Sequence, residues 1–296
     1  MSHKFIDKTK YIKKIKHTVM NIVDFEGEKF YKIENHDTMR PFFMSIVSDS
    51  NHWMFISSNG GLTAGRKNAE FALFPYYSDD KITESSDISG SKSIFQIRYE
   101  GKELVWEPFS ERFNQSYNLT RNLYKNIYGN KIIFEEIHND LQLTFRYEWN
   151  SSNIFGFVKK SEIINHSNID YDITVLDGIQ NIMPHGVSSD LQNSTSNLVD
   201  AYKRSELHAE SGLGIFALSA IIVDKAEPSE ALKANVVWSL GMNNPIHLLS
   251  SKQLPAFRKL QKITSETDVK GEKGAYFISN ELHLPHHTSK DWKISA

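Results

Sequence analysis

Apolar and polar residues alternate with a period of two over much of this chain, the pattern of strands that bury one face. Residues 93–99 alternate, Glu100-Gly101-Lys102 turns the chain, and 103–106 returns it, which predicts a hairpin. Residues 131–138 and 141–149 flank Asn139-Asp140. Asn and Asp tolerate positive φ, so this pair predicts a tight turn. Residues 155–165 and 171–179 repeat the device around His166-Ser167-Asn168. Further strands are expected at 28–34, 41–49, 52–57, 69–77, 207–223 and 234–240, with Pro75 turning the end of 69–77 into an edge or bulge. Two segments read as helices. One is 188–201. The other is 252–263, where Leu254, Phe257, Leu260 and Ile263 fall three apart and Pro255 suits a first turn. Strands at this spacing predict an all-β fold, a large antiparallel sandwich with a few short helices. Residues 1–20 read as an N-terminal arm, and 21–296 as one domain that includes the candidate linker helix at 252–263.

Composition narrows the function classes. The 296 residues include 40% apolar and 24% charged positions, enough for a buried core. Lys plus Arg number 34 and Asp plus Glu 36, a net charge of −2, which argues against a dedicated nucleic-acid binder. There is no cysteine, so disulfides, thiolate metal sites and cysteine nucleophiles are excluded. No apolar run has the length of a signal peptide core near the start or of a membrane span elsewhere, so a cytoplasmic protein without a membrane partner is expected. Trp292 and Ile294 close to Ala296 need something to pack against, which predicts that the chain continues in a longer protein and carries an exposed apolar patch over 252–296.

The glycine-rich stretch 57–66 is the first chemical candidate. It lacks the P-loop ending and the dinucleotide spacing. Glycines allow close approach, and Arg66, Lys67, Tyr76, Tyr77 and Asp79 follow. Sugars are bound by such sets: an aromatic face meets the ring, and guanidinium or carboxylate takes the hydroxyls. The plainer alternative is a turn between two strands. His283, His286 and His287 stand around Pro285, so no helical pair of metal ligands forms and no metal is expected. His185 sits in a turn after a strand, where it can face a pocket. Glu135-Glu136, Asp79-Asp80 and Asp170/Asp172 are not diagnostic of glycosidase chemistry, since sequence neighbours on a strand point apart.

Residues 39–80 hold, in order, Pro41-Phe42, two strands, Ser58-Asn59-Gly60-Gly61, Arg66, Phe74 and Tyr76-Tyr77. This order resembles the N-terminal region of cellobiose phosphorylase-like proteins of the glycoside hydrolase/phosphorylase superfamily. Ile163-Ile164-Asn165-His166-Ser167, Ile173 to Gly178 and Ile182 to Val187 extend the likeness. The resemblance implies a galactose mutarotase-like supersandwich that forms one wall of a sugar site. The catalytic (α/α)6 barrel would lie beyond 296, leaving this chain without catalytic residues. It implies oligosaccharide substrates such as β-glucosides, with inorganic phosphate or water as acceptor, no cofactor, a C-terminal catalytic domain on the same polypeptide, and a possible homodimer. The candidate substrate-binding residues are Gly60, Gly61, Arg66, Tyr76, Tyr77, Asp79 and His185. A stand-alone sugar epimerase, needing His185 with a nearby Glu, and a non-catalytic interaction module are the alternatives.

Overall fold

The computed structural model describes residues 16–113, 116–194, 196–220 and 233–296. The chain runs through strands β1 (Val19–Phe25), β2 (Glu28–Glu34), β3 (Phe43–Ile46), β4 (His52–Ser57), β5 (Leu62–Arg66) and β6 (Ala72–Phe74), then helix α1 (Asp79–Glu84). Next come β7 (Gly90–Tyr99), β8 (Lys102–Trp106), β9 (Leu119–Asn126), β10 (Ile132–His138), β11 (Leu143–Ser152), β12 (Gly156–Asn165) and β13 (Tyr171–Ile182). Helices α2 (Ser189–Ser194) and α3 (Ser196–Tyr202) precede β14 (Lys203–His208), β15 (Leu213–Leu218), β16 (Asn235–Leu240) and β17 (Ile246–Leu248). Helix α4 (Leu254–Arg258) and strands β18 (Asp268–Lys270), β19 (Gly274–Leu284) and β20 (Ser289–Ser295) follow.

The expected all-β antiparallel sandwich is the observed architecture. An 11-stranded sheet has the order β1-β2-β9-β10-β11-β12-β20-β16-β15-β14-β18, beside a five-stranded sheet β17-β19-β13-β7-β8 and a four-stranded sheet β3-β4-β5-β6. Every strand pairing among the described residues is antiparallel. One core joins the three sheets: Ile56 and Leu62, Phe95 and Val175, Phe145 and Trp149, Trp292 and Ile294 belong to the same cluster. The outer face of the five-stranded sheet is covered separately. There Leu254 and Phe257 of α4 pack on Ile94, Leu176 and Phe277.

The core also holds charge. Alternation along β12 turns Phe157, Lys159, Ser161 and Ile163 inward. Lys159 Nζ lies 2.5 Å from Asp177 Oδ1, and both side chains are wholly shielded from solvent. Asp177 also accepts from Ser93 Oγ, from Ser161 Oγ at 2.9 Å and from Trp292 Nε1 at 2.7 Å. Burial lowers the Lys159 pKa, and Asp177 opposes that shift. A buried charge of this kind persists only when paired and hydrogen-bonded.

Several local expectations are corrected. The 138–143 connection is a four-residue loop, with His138 opposite Leu143, and its positive φ falls on Gln142 instead of Asn139 or Asp140. Leu141 lies in this loop with its side chain buried, and its carbonyl accepts from Tyr171 Oη. The 252–263 helix ends at Arg258: Leu260 takes a φ of +60° and is 42% exposed, although Ile263 rejoins the cluster under α4. The helix expected at 188–201 is observed as α2 and α3, on either side of residue 195, which lies outside the described residues. Residues 207–223 contain a strand end and β15, and 221–223 lie outside the described residues. Only 72–74 of 69–77 is strand, because 69–71 forms a 3₁₀ turn capped by Asn68. Of the 1–20 arm, residues 1–15 lie outside the described residues, and β1 begins at Val19. The exposed apolar patch expected over 252–296 is not formed by Trp292 and Ile294. Both are 1% exposed, because β20 lies inside the large sheet between β12 and β16.

Two core histidines give the fold a pH dependence. Burial pushes His36 and His138 down to about 4. Their rings pack edge-on against Phe134 and Trp106 respectively. The unfolded chain binds these protons near the ordinary value of about 6.5, whereas the folded chain binds them only near 4. Stability from these groups is therefore full above about 6.5 and is lost as pH falls toward 4. Each histidine contributes a slope of up to about 1.4 kcal/mol per pH unit in that window. Urea midpoints measured from pH 7 down to pH 4.5 should fall, and a His36→Gln/His138→Gln variant should lose much of the slope. A midpoint independent of pH would contradict this.

Candidate functional site

The glycine-rich stretch joins β4 to β5 as a turn. Gly60 has a φ of +92° and donates its N–H to the Ser57 carbonyl. A Cβ on Gly61 would lie 2.0 Å from the Ile82 carbonyl oxygen of α1. Asn59 Nδ2 donates to the Thr83 carbonyl on the same helix. The close approach that the glycines permit is thus between two segments of this chain. From Gly61, five residues of extended chain at about 3.3 Å each put Arg66 roughly 16 Å away, at the far end of β5.

Arg66 lies at the rim of a cleft of about 660 Å3, within the range of small-molecule sites. Its lining comes from Arg66, Lys67 and Glu70 to Leu73, the β11–β12 hairpin tip from Ile154 to Phe157, the turn Pro184-His185-Gly186, and the entry to β16 from Lys233 to Val236 with Trp238, together with Asn51 and Ala296. Arg66 Nε donates to Asn51 Oδ1 at 3.0 Å. Lys67 holds a φ of +61°, and its Nζ stands 5.2 Å from the centre of the Phe71 ring. The centre of the His185 ring is 6.1 Å from that of Phe71. Burial, then Lys233, lowers the His185 pKa, so the ring is neutral at pH 7. Glu70 is held by Ser189, whose backbone N–H and Oγ both donate to its carboxylate. Phe155 is 53% exposed at the hairpin tip. Gly156 leaves the space through which the Ala296 carbonyl reaches the Phe157 N–H.

Of the residues singled out in the sequence, Arg66, Lys67 and His185 meet in this cleft. Gly60 instead borders a hollow of about 20 Å3 beside Lys92 and Tyr147. Tyr76 is 42% exposed and meets Trp53 edge-on at 5.8 Å. Tyr77 is half-buried, and burial raises its hydroxyl pKa. Neither tyrosine lines the cleft, and neither lies in a strand, since β6 ends at Phe74. Asp79 opens α1, and its side chain lies outside the description. His283, His286 and His287 pair separately with Asp172, Asp170 and Asn168, and no group of three metal-ligating side chains forms among the described residues.

Sequence reasoning missed Phe71, Phe155 and Trp238 as cleft residues. Nothing local marks them, because the sheet brings the hairpin tip and β16 to Arg66 from distant parts of the chain.

No protein-family model and no curated protein matches the chain. Among solved structures, 4-alpha-glucanotransferase from Thermococcus litoralis is similar at 12% identity and a TM-score of 0.33, over 95% of this chain and 39% of that one. Heparinase III is similar at 10% identity and a TM-score of 0.34, over 87% of this chain and 36% of that one. The chain spans less than two fifths of the length of either enzyme. The TM-scores are too low for either likeness to bear on what this chain does. No helix among the described residues is long and apolar enough to cross a membrane.

Proposed function

We propose that this chain is a carbohydrate-binding domain of a carbohydrate-active protein and that the Arg66–His185 cleft is its saccharide site. The carrying observation is the cleft's lining. Phe71, Phe155 and Trp238 line it together with the polar residues Asn51, Arg66, His185 and Asn235. Saccharides need both: ring C–H faces stack on aromatics, while hydroxyls pair with amides and guanidinium. The sequence likeness to phosphorylase-type proteins supports the finer reading, a wall of a β-glucoside site in a glycoside phosphorylase or hydrolase. On that reading catalysis resides in a barrel domain on the same polypeptide, and phosphate or water is the acceptor. The epimerase alternative needs a free carboxylate beside His185. Glu70 lines the same cleft, but both of its oxygens accept from Ser189, which favours binding over proton transfer.

Arg66→Ala and Phe155→Ala test this reading, because both side chains reach solvent and neither belongs to the core. Oligosaccharide affinity, measured by titration calorimetry on the 296-residue chain, should fall roughly tenfold for Arg66→Ala, the loss expected for a charged hydrogen bond. Melting temperatures should stay close to that of the parent. Unchanged affinity in both variants would overturn the assignment of the cleft.

A further inference from the structure

The cleft is lopsided in charge. Its described side chains include three cations, Arg66, Lys67 and Lys233, against one carboxylate, Glu70. No ion pair to a carboxylate is formed by these three cations among the described residues. Arg66 spends its Nε on the neutral amide of Asn51, and Lys67 rests over a phenyl ring. Glu70 is tied to Ser189 and turned to the protein's own hydrogen bonds. Ala296 also lines the cleft; its main-chain oxygen takes the Phe157 N–H, and in the 296-residue chain it belongs to a second carboxylate, which leaves three cations against two anions. Burial is the larger cause of the lowered His185 pKa, and Lys233 adds to it. A neutral sugar needs none of this: hydroxyls are satisfied by amides and a single guanidinium, and unpaired cations at a rim serve an anion better.

We propose that the cleft selects an acidic saccharide, one bearing carboxylate or sulfate on its rings, over a neutral one of the same backbone. This rests on the saccharide reading of the cleft and adds the substrate class. Arg66 offers a planar fork that matches a carboxylate or a sulfate edge, and Lys67 and Lys233 add point charges to the same cleft. Phe71 and Phe155 take the apolar ring faces.

The experiment compares cellotetraose with tetraglucuronate, which differ only at C6, and with a sulfated cellotetraose, alongside inorganic phosphate alone. The protein is the 296-residue chain at about 50 mM salt. Acidic tetrasaccharides should bind about tenfold tighter than cellotetraose, the combined effect of a few partly solvated charges. The gap should narrow at about 0.5 M salt, where the screening length is only a few ångström. It should also narrow in a Lys67→Gln/Lys233→Gln variant. Whether the carboxylated or the sulfated ligand binds tighter identifies which acid the site takes. Equal affinity for acidic and neutral tetrasaccharides would overturn this proposal while leaving the saccharide reading intact. Absence of any saccharide binding, or phosphate alone binding as tightly as tetraglucuronate, would overturn both.

Discussion

Replacing Asp177 with alanine is expected to cost about 3–5 kcal/mol, the penalty for leaving one partner of a buried ion pair uncompensated. The cost follows from the surroundings. Lys159 Nζ has Asp177 as its ionic partner and no access to water, and the Gly178 carbonyl at 3.5 Å is its other hydrogen-bond acceptor. Trp292 Nε1 and the hydroxyl of Ser161 lose the same acceptor. Against a typical domain stability of about 5–15 kcal/mol this is a large fraction. Lys159→Met should be milder, because Asp177 keeps Ser93, Ser161 and Trp292 as donors. The measurement is denaturant unfolding of both variants. A loss below about 1 kcal/mol for Asp177→Ala, or a larger loss for Lys159→Met, would contradict this account.

The second large effect belongs to Gly61. Gly61→Ala places a methyl 2.0 Å from the Ile82 carbonyl oxygen, a backbone atom that cannot rotate away. Either β5 or α1 must shift, and a loss of about 3 kcal/mol is expected, the upper part of the range for overpacking. Gly27→Ala is the control. It has a φ of +82° and open space around it, so it carries only backbone strain of about 1 kcal/mol. Saccharide affinity should survive Gly61→Ala in protein that folds, because the turn lies at the other end of β5 from the cleft. Equal stability of the two variants would show that the turn can yield where it touches α1. Weaker binding without lost stability would return the glycines to the ligand site.

The strands were legible because their period of two is a local signal. Residues 93–99, 131–138 and 155–165 each reappear as strand, and the Glu100-Gly101 turn has both residues at positive φ. The boundaries slipped at Leu141, which is buried in a loop and not in a strand, and at Leu260, which is exposed where the helical pattern would bury it. Of the residues lining the candidate cleft, the sequence singled out Arg66, Lys67 and His185. Arg66 and His185 were accessible to reasoning because each ends a strand or follows one. Tyr76 and Tyr77 followed Arg66 closely in sequence, but a 3₁₀ turn at 69–71 and the end of β6 carry them away from it. Lys159 could have been read as inward-facing from its phase between Phe157 and Ser161. Its partner could not, because pairing Lys159 with Asp177 depends on how one sheet lies on another.

The place of β20 also sets an order of events during synthesis. Its neighbours β12 and β16 are both made before it, and both present unpaired edges until residues 289–295 arrive. Trp292 meets Asp177 across 115 residues of sequence, so the buried anion waits for one of its donors until nearly the whole stretch has left the ribosome. Closure of the large sheet is therefore a long-range step: the β12 edge stays open from residue 165 until residue 289, and the β16 edge from residue 240.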